Sequence, residues 1–170
     1  MNFLRNLFDR VDAKLTGWMA RYGILLLRLS LGVVFLWFGA LKFFPGLSPA
    51  EDLAARTITR LTFGVVHAST AVLILAAWES LIGIGLIFGL QLRATLFLLW
   101  VQMLGTVTPI FLFPNEVFAV FPYAPTLEGQ YIFKNMVLVS AGLVIGATVR
   151  GGRVVAEPEK IIGSAKENLV

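Results

Sequence analysis

The chain contains no cysteine and only one histidine, His67. The absence of cysteine excludes disulfide frameworks, thiolate metal sites and CxxC redox chemistry. A single histidine cannot build a bis-histidine haem site or a histidine-rich metal site within one subunit. The sequence also carries no recognisable catalytic motif and no metal, haem or flavin motif. These absences favour a protein that is not an enzyme by itself.

Charge is scarce as well, because only 14% of the 170 residues are charged, whereas 58% are hydrophobic. With a mean hydropathy of +0.83, the composition indicates a small integral membrane protein. The net charge of +4 comes mainly from the termini and indicates anionic lipid headgroups rather than nucleic acid as neighbours. The first apolar run starts only near Tyr22, after acidic Asp9 and Asp12, so we expect a retained signal anchor and no cleaved signal peptide.

Four apolar runs each approach the ~20 residues that a helix needs to cross a bilayer. They cover residues 22–44, 68–90, 94–113 and 131–149. They predict an all-α fold, an integral membrane four-helix bundle over residues 22–149, followed by a tail over residues 150–170. Residues 1–21 carry apolar side chains at three- and four-residue spacing, which predicts an amphipathic interfacial helix; a partner-binding helix is the alternative.

The two longer loops have different compositions. Ser48-Pro49-Ala50-Glu51 has the pattern of a capping box with proline at the first helical position. It predicts a short amphipathic helix in the first outer loop. The loop over residues 114–130 contains three prolines and several aromatic residues, which predicts an ordered but irregular lid.

Lysine and arginine predict the orientation in the membrane. They concentrate in the N-terminal segment, the 91–93 turn and the C-terminal tail, whereas the outer loops hold only Arg56 and Arg60. Positive charge favours the cytoplasmic side, so both termini are predicted to be cytoplasmic.

Glu79 is the most informative single residue, because it lies near the middle of the second apolar run, about 16 Å from either edge. A charged carboxylate there costs about 2.5–3.5 kcal/mol on insertion scales, so it needs a partner in the protein interior. Arg28, about 9 Å inside the first span, is the partner we expect first, and Lys134 is the alternative. A purely structural ion pair and a protonated Glu79 both stay open.

Other polar and aromatic residues at membrane depth extend this candidate site. Lys42 shares a helix face with Arg28. Pro109 predicts a helix kink, because it cannot donate to the Gly105 carbonyl; the hydroxyl of Thr106 or Thr108 can donate to that carbonyl instead. The predicted ligand or proton pocket comprises Arg28, Lys42, Glu79, Gln102, Lys134, Asn135, Trp37 and Trp78.

Four segments together resemble the DoxX-like family of four-helix membrane proteins: residues 28–45, residues 79–83, Thr108-Pro109 and residues 128–135. The resemblance covers about residues 28–146. Within the family, the sequence is similar to the branch that includes a bacterial inner-membrane protein linked to reactive-chlorine resistance. The positions that match the family are Arg28, Trp37, Gly39, Lys42, Glu79, Gly83, Pro109 and Lys134.

The resemblance implies a bacterial cytoplasmic (inner) membrane location and a connection to oxidative stress or quinones. Some members of the family are subunits of thiosulfate:quinone oxidoreductases, and others are partners in membrane complexes that handle oxidative stress. The lack of cysteine departs from thiol-using relatives and argues against a disulfide relay.

Three functions follow as alternatives. The first is a non-enzymatic membrane protein that binds a small hydrophobic or anionic ligand, or a redox or stress-response partner, at the polar pocket. The second is a quinone-interacting subunit of a membrane oxidoreductase complex. The third is a small proton-coupled transporter or channel; four spans leave little room for alternating access in one chain, so a homo-oligomer also stays open.

Overall fold

The computed structural model describes residues 2–48 and 51–152, with side chains described from residue 8 onward in the first helix. Pro49 and Ala50 of the predicted capping box lie outside the described residues, as do residues 153–170 of the predicted tail. The helices are α1 (Asn2–Leu41), α2 (Glu51–Leu61), α3 (Ala68–Phe88), α4 (Leu92–Val107), α5 (Pro109–Leu112), α6 (Pro114–Val117) and α7 (Leu127–Thr148). The strands are β1 (Phe118–Val120) and β2 (Ala124–Pro125).

Four helical segments of the described chain are long and apolar enough to cross a membrane. They are Phe8–Leu41, Ala68–Phe88, Leu92–Leu112 and Leu127–Thr148. The predicted all-α membrane bundle is therefore confirmed, and α2 is the short helix that was predicted for the first long loop. The end of the bundle that carries α2 is called the α2 end below.

Helix α1 runs without a break from Asn2 to Leu41, a length of 40 residues or about 60 Å. The expected boundary near residue 21 does not appear as a break in the helix. No proline lies in α1, and glycines such as Gly17 and Gly23 weaken a helix by only about 1 kcal/mol each. The division into an interfacial helix and a span stays a prediction about the surroundings of α1.

Helices α1 and α3 form the most extensive helix pair, and glycines fix how they pack. A Cβ on Gly83 would lie 2.4 Å from the backbone nitrogen of Leu36, and a Cβ on Gly39 would lie 2.8 Å from Cβ of Glu79. Small residues of this kind let two backbones approach closely. The contacts align Gly39 with Glu79 and Leu36 with Gly83, which defines the register of the pair.

The bundle is closed by further contacts of α4 with α3 and of α7 with α4 and α1. Gly142 and Gly146 face Leu99 and Leu96 of α4, so these glycines serve packing inside the bundle. Each long helix contributes to one hydrophobic core cluster: Leu31, Phe35, Ile82, Leu86, Leu96, Leu99, Met103, Ala141 and Ile145.

The segment before α7 is more regular than the predicted irregular lid. It contains α6 and an antiparallel pair of strands, in which Phe118 pairs with Pro125 and Val120 with Ala124. Helix α7 begins at Leu127, four residues before the predicted start at 131. The reason is a cap: the Thr126 hydroxyl accepts a hydrogen bond from the Gly129 backbone N–H at 3.1 Å.

We expect Gly83→Ala to destabilise the protein by about 1–3 kcal/mol, because the added Cβ overlaps the α1 backbone. Gly23→Ala is the matched control, since a Cβ there meets no heavy atom within 4 Å and alanine favours helix. Thermal unfolding in detergent should show a lower midpoint for the first variant only. Equal midpoints for both variants would contradict the close approach of α1 and α3.

Candidate functional site

Both oxygens of the buried Glu79 carboxylate are hydrogen-bonded, one to Lys42, which directly follows α1, and the other to Gln102 of α4. The Lys42 ammonium donates to Oε2 at 2.6 Å, and the Gln102 amide donates to Oε1 at 2.7 Å. The Lys42 and Glu79 side chains are only 10% and 11% exposed. Three chain segments, the end of α1, the middle of α3 and the middle of α4, therefore meet at one carboxylate.

Lys42 reaches Glu79 because of the glycine register between α1 and α3. Gly39 lies directly against Glu79 and Ser80, and Lys42 follows it by three residues, just past the end of α1. The Lys42 ammonium also donates to the carbonyl of Phe38, four residues earlier in the chain, at 3.3 Å. The ion pair therefore depends on the close packing of α1 against α3.

The expected partner Arg28 does not contact Glu79, so that prediction was wrong. The Arg28 guanidinium lies beside Gly89, where an added Cβ would be 2.9 Å from Nη1. From residue 79 to residue 89 α3 rises about 15 Å, more than an arginine side chain spans. The depth estimate failed because it placed each span by its own ends, whereas interhelical contacts set the relative height of α1 and α3.

Lys134, the alternative partner, does not pair with Glu79 either. Its ammonium lies 5.7 Å from the centre of the Tyr131 ring, a cation–π distance. No ion pair of Lys134 is present within the described part of the chain. Lys134 is therefore a cation whose charge the described side chains leave unneutralised.

A cavity of about 510 Å³ adjoins the ion pair at the α2 end of the bundle. This volume lies within the roughly 300–1,000 Å³ of small-molecule sites. Six of the predicted pocket residues line it: Lys42, Trp78, Glu79, Gln102, Lys134 and Asn135. The other two do not, because Arg28 lies at the opposite end of α3 and Trp37 is 65% exposed on the outer surface of α1.

The walls of the cavity are mainly apolar and include residues that the sequence did not single out. They comprise Val34, Phe35, Phe38, Ile74, Leu75, Val101, Met103, Ile132 and Leu138. Helical spacing was an available signal, since Phe38 and Phe35 precede Lys42 by four and seven residues and so share its face. The cavity therefore combines a polar cluster with an apolar surround.

The break between α4 and α5 shapes the α4 side of the cavity. Helix α4 ends at Val107 and α5 begins at Pro109, which cannot donate to the Gly105 carbonyl. The Thr108 hydroxyl donates to that carbonyl at 2.7 Å instead. Gly105, Thr106 and Pro109 all line the cavity, so the helix break lies in its wall.

Helix α2 covers the cavity with one face: Leu53, Ala54, Thr57, Ile58 and Leu61. Arg56 attaches the helix to α6, because its Nη1 donates to Glu116 Oε1 at 2.7 Å and its Nη2 donates to Glu116 Oε2. Its Nε donates to Asp52 at 2.9 Å, and its guanidinium carbon lies 5.3 Å from the Phe113 ring centre. The hydrogen bonds from Arg56 hold the pKa of Glu116 below its usual range, and they raise the pKa of Arg56.

The described residues bring together no group of three or more His, Cys, Asp or Glu side chains that could hold a metal ion. The site they form is instead a largely apolar cavity, with the cluster of Lys42, Glu79 and Gln102 in its wall, inside a membrane-spanning helical bundle.

A family comparison agrees with this class of protein. The sequence model of the family described as DoxX matches residues 23–114. That match covers more than half of the 170 residues, and the chain therefore belongs to the DoxX family. The matched segment includes Lys42, Glu79 and Gln102. No curated protein and no solved structure gives a significant match.

Replacing one partner of the buried ion pair should be costly, because it leaves the other charge uncompensated. We expect Lys42→Met or Glu79→Met to lower the free energy of unfolding by about 3–5 kcal/mol each. The double variant should lose less than the sum of the two single variants, which thermal or denaturant unfolding in detergent can measure. Arg28→Met is the control; a loss as large as that of Lys42→Met would contradict the assigned pairing.

Acid should release the contact between α2 and α6. Because the pKa of Glu116 is lowered in the folded protein, its stabilising contribution is present above the ordinary value of 4.5 and is lost as the pH falls through the lowered value. We expect the unfolding midpoint of the wild type to fall more steeply below pH 4.5 than that of Glu116→Gln. Parallel pH profiles for the two proteins would rule out this contribution.

Proposed function

We propose that this DoxX-family chain is a membrane protein that binds a small amphiphilic ligand in the cavity beside Lys42 and Glu79. The cavity itself carries the proposal: about 510 Å³ of space lined mainly by apolar side chains, with the Lys42–Glu79 ion pair and a smaller number of other polar side chains in its wall. Ligand sites commonly combine an apolar lining with a few polar groups that fix orientation. The same division suits a ligand with a polar head and an apolar body.

The lining favours a ligand whose head accepts hydrogen bonds. The Lys42 ammonium has three N–H groups, and the described residues account for two of them, at Glu79 and at the Phe38 carbonyl. The remaining N–H is a donor for a ligand carbonyl, carboxylate or phosphate oxygen. Lys134 and Asn135 add further donors to the lining, which also contains the Glu128 carboxylate, an acceptor.

A quinone-interacting subunit of a membrane oxidoreductase complex is the second candidate function. A quinone head has two carbonyl acceptors on an apolar ring, and it would take its hydrogen bonds from Lys42 or Lys134. Trp78 and Phe38 contribute aromatic side chains to the same cavity wall. The reactive-chlorine-resistance branch, a stress-response partner and the proton-coupled transporter stay predictions from the sequence.

For the location, we propose the bacterial inner membrane with both termini cytoplasmic. The distribution of lysine and arginine supports this orientation, because Arg93 and Arg150 lie at the end of the bundle opposite α2. The α2 end and its cavity then lie toward the outer side of the membrane. A ligand would reach the cavity from that side or from the outer leaflet.

The proposal is tested by filling the cavity. Gly105 lines the cavity, and a Cβ there meets no heavy atom within 4 Å, so Gly105→Leu should occupy the space without a clash. We expect lipid extracts of the purified wild type, analysed by mass spectrometry, to contain one small molecule at close to one per chain. Gly105→Leu should lose it while keeping its unfolding midpoint.

Leu104→Phe is the matched control, since Leu104 is 73% exposed and does not line the cavity. It should retain the molecule. Extracts with only bulk lipid, or a molecule that persists in Gly105→Leu, would count against a ligand in this cavity. The chemical identity of the molecule, quinone or another amphiphile, separates the two candidate functions.

A further inference from the structure

Helix α2 is the part of the cavity wall that is not one of the long helices. One of its faces lines the cavity, with Leu53, Ala54, Thr57, Ile58 and Leu61, and Leu53, Ala55 and Thr57 are buried. Its main packing partner is α3, and it makes a smaller contact with α5. The helix therefore rests on the bundle and covers the space between the long helices.

The chain on each side of α2 contains a glycine in the left-handed backbone region. Gly46 has φ +79° and Gly64 has φ +82°, and an added Cβ on either would meet no heavy atom within 4 Å. Glycine adopts such φ values without steric cost. Backbone rotation at these two points consequently loses no side-chain packing at the glycines themselves; it breaks the hydrogen bonds that Gly46 N–H donates to Glu51 Oε2 and Gly64 N–H donates to the Thr59 carbonyl.

The strongest polar attachment of α2 to the rest of the protein is the paired contact between Arg56 and Glu116. The Glu116 side of this contact is well anchored, because its carbonyl accepts a hydrogen bond from the Thr126 hydroxyl at 2.6 Å and the next residue, Val117, is fully buried. Since α6 is fixed to the start of α7, breaking the contact frees α2 rather than α6.

We propose that α2 is a gate to the cavity and that the Arg56–Glu116 contact is its latch. When the contact is broken, α2 moves away about the segments that contain Gly46 and Gly64, and the cavity opens at the α2 end. The passage of a ligand through this gate rests on the proposed function. The accessibility of the cavity does not, and it can be measured without knowing the ligand.

The absence of cysteine makes that measurement direct, because a single introduced thiol is then the only one in the chain. Thr106→Cys places a thiol of similar size in the cavity wall. The probe is a positively charged, membrane-impermeant methanethiosulfonate reagent, applied to the protein in nanodiscs. The measured quantity is the labelling rate, followed by intact-protein mass spectrometry.

In the Thr106→Cys protein, Glu116→Gln should raise the labelling rate about fivefold. This factor corresponds to the upper end of the stabilising free energy that partly exposed ion pairs contribute. Glu116→Arg should raise the rate further, because it places two cations face to face. Adding Arg56→Gln to Glu116→Arg removes this repulsion, so the rate should return to that of Glu116→Gln.

Two controls belong to the same experiment. Arg60→Gln removes the other guanidinium near Phe113 without touching Glu116, and it should leave the rate close to that of the parent. Tyr123→Cys, which places the thiol at a position 78% exposed in the parent chain, should be labelled equally fast with every latch variant.

Unchanged rates in both Glu116 variants, or a Glu116→Arg rate that Arg56→Gln does not lower, would overturn the gate. Retained ligand in the extraction experiment would then leave the proposed function standing. Conversely, the predicted rates together with an empty extract would support a gate on a cavity that holds no resident ligand.

Discussion

The charge of Glu79 has to be compensated inside a membrane-spanning bundle, and the rest of the site depends on how that is done. The compensation is possible because Gly39 and Gly83 let α1 and α3 approach until backbone meets backbone. This approach fixes the register of the two helices, and the register brings Lys42 within 2.6 Å of the carboxylate. A side chain on either glycine would separate the helices and move the ammonium away from its partner. The close packing of α1 and α3 and the neutralisation of Glu79 therefore depend on each other. The hydrogen bond from Gln102 to Glu79 adds α4 to this arrangement.

The ion pair lies where the packed core ends and the cavity begins. On one side, Ile82, Leu86, Leu99 and Ile145 are essentially inaccessible and fill the space between the helices. On the other side, the walls separate for identifiable reasons. Gly105 contributes no side chain, the helix breaks before Pro109, and α2 covers the opening instead of a fifth long helix. The polar cluster consequently faces a cavity and is not enclosed in tightly packed apolar side chains.

How far the sequence predicts this arrangement follows from the range of the interactions involved. Apolar runs and single polar residues are local signals, so the spans, helix α2, the break at Pro109 and the need of Glu79 for a partner were all readable. The identity of the partner was not, because it depends on the relative height of α1 and α3, which contacts of Gly39 and Gly83 determine. The Arg56–Glu116 contact joins residues 60 positions apart and leaves no local pattern. Opposite charges in the two long loops were the one available hint.

The position of the polar cluster also bears on why it is there. A buried ion pair is weak evidence of stability, since well-packed apolar residues of similar volume are often as good or better by about 1–4 kcal/mol. The Gln102 amide adds a further cost, because its buried Oε1 has no hydrogen-bond partner among the described residues and such an acceptor costs about 1–3 kcal/mol. A cluster needed only to hold helices together would be cheapest deep in the core, with every polar atom satisfied. This one borders an apolar cavity, and Lys42 keeps an N–H that the described residues do not use. Under the proposed function, an acceptor atom of the bound molecule would take this unused Lys42 N–H, whereas a purely structural role leaves it without a partner.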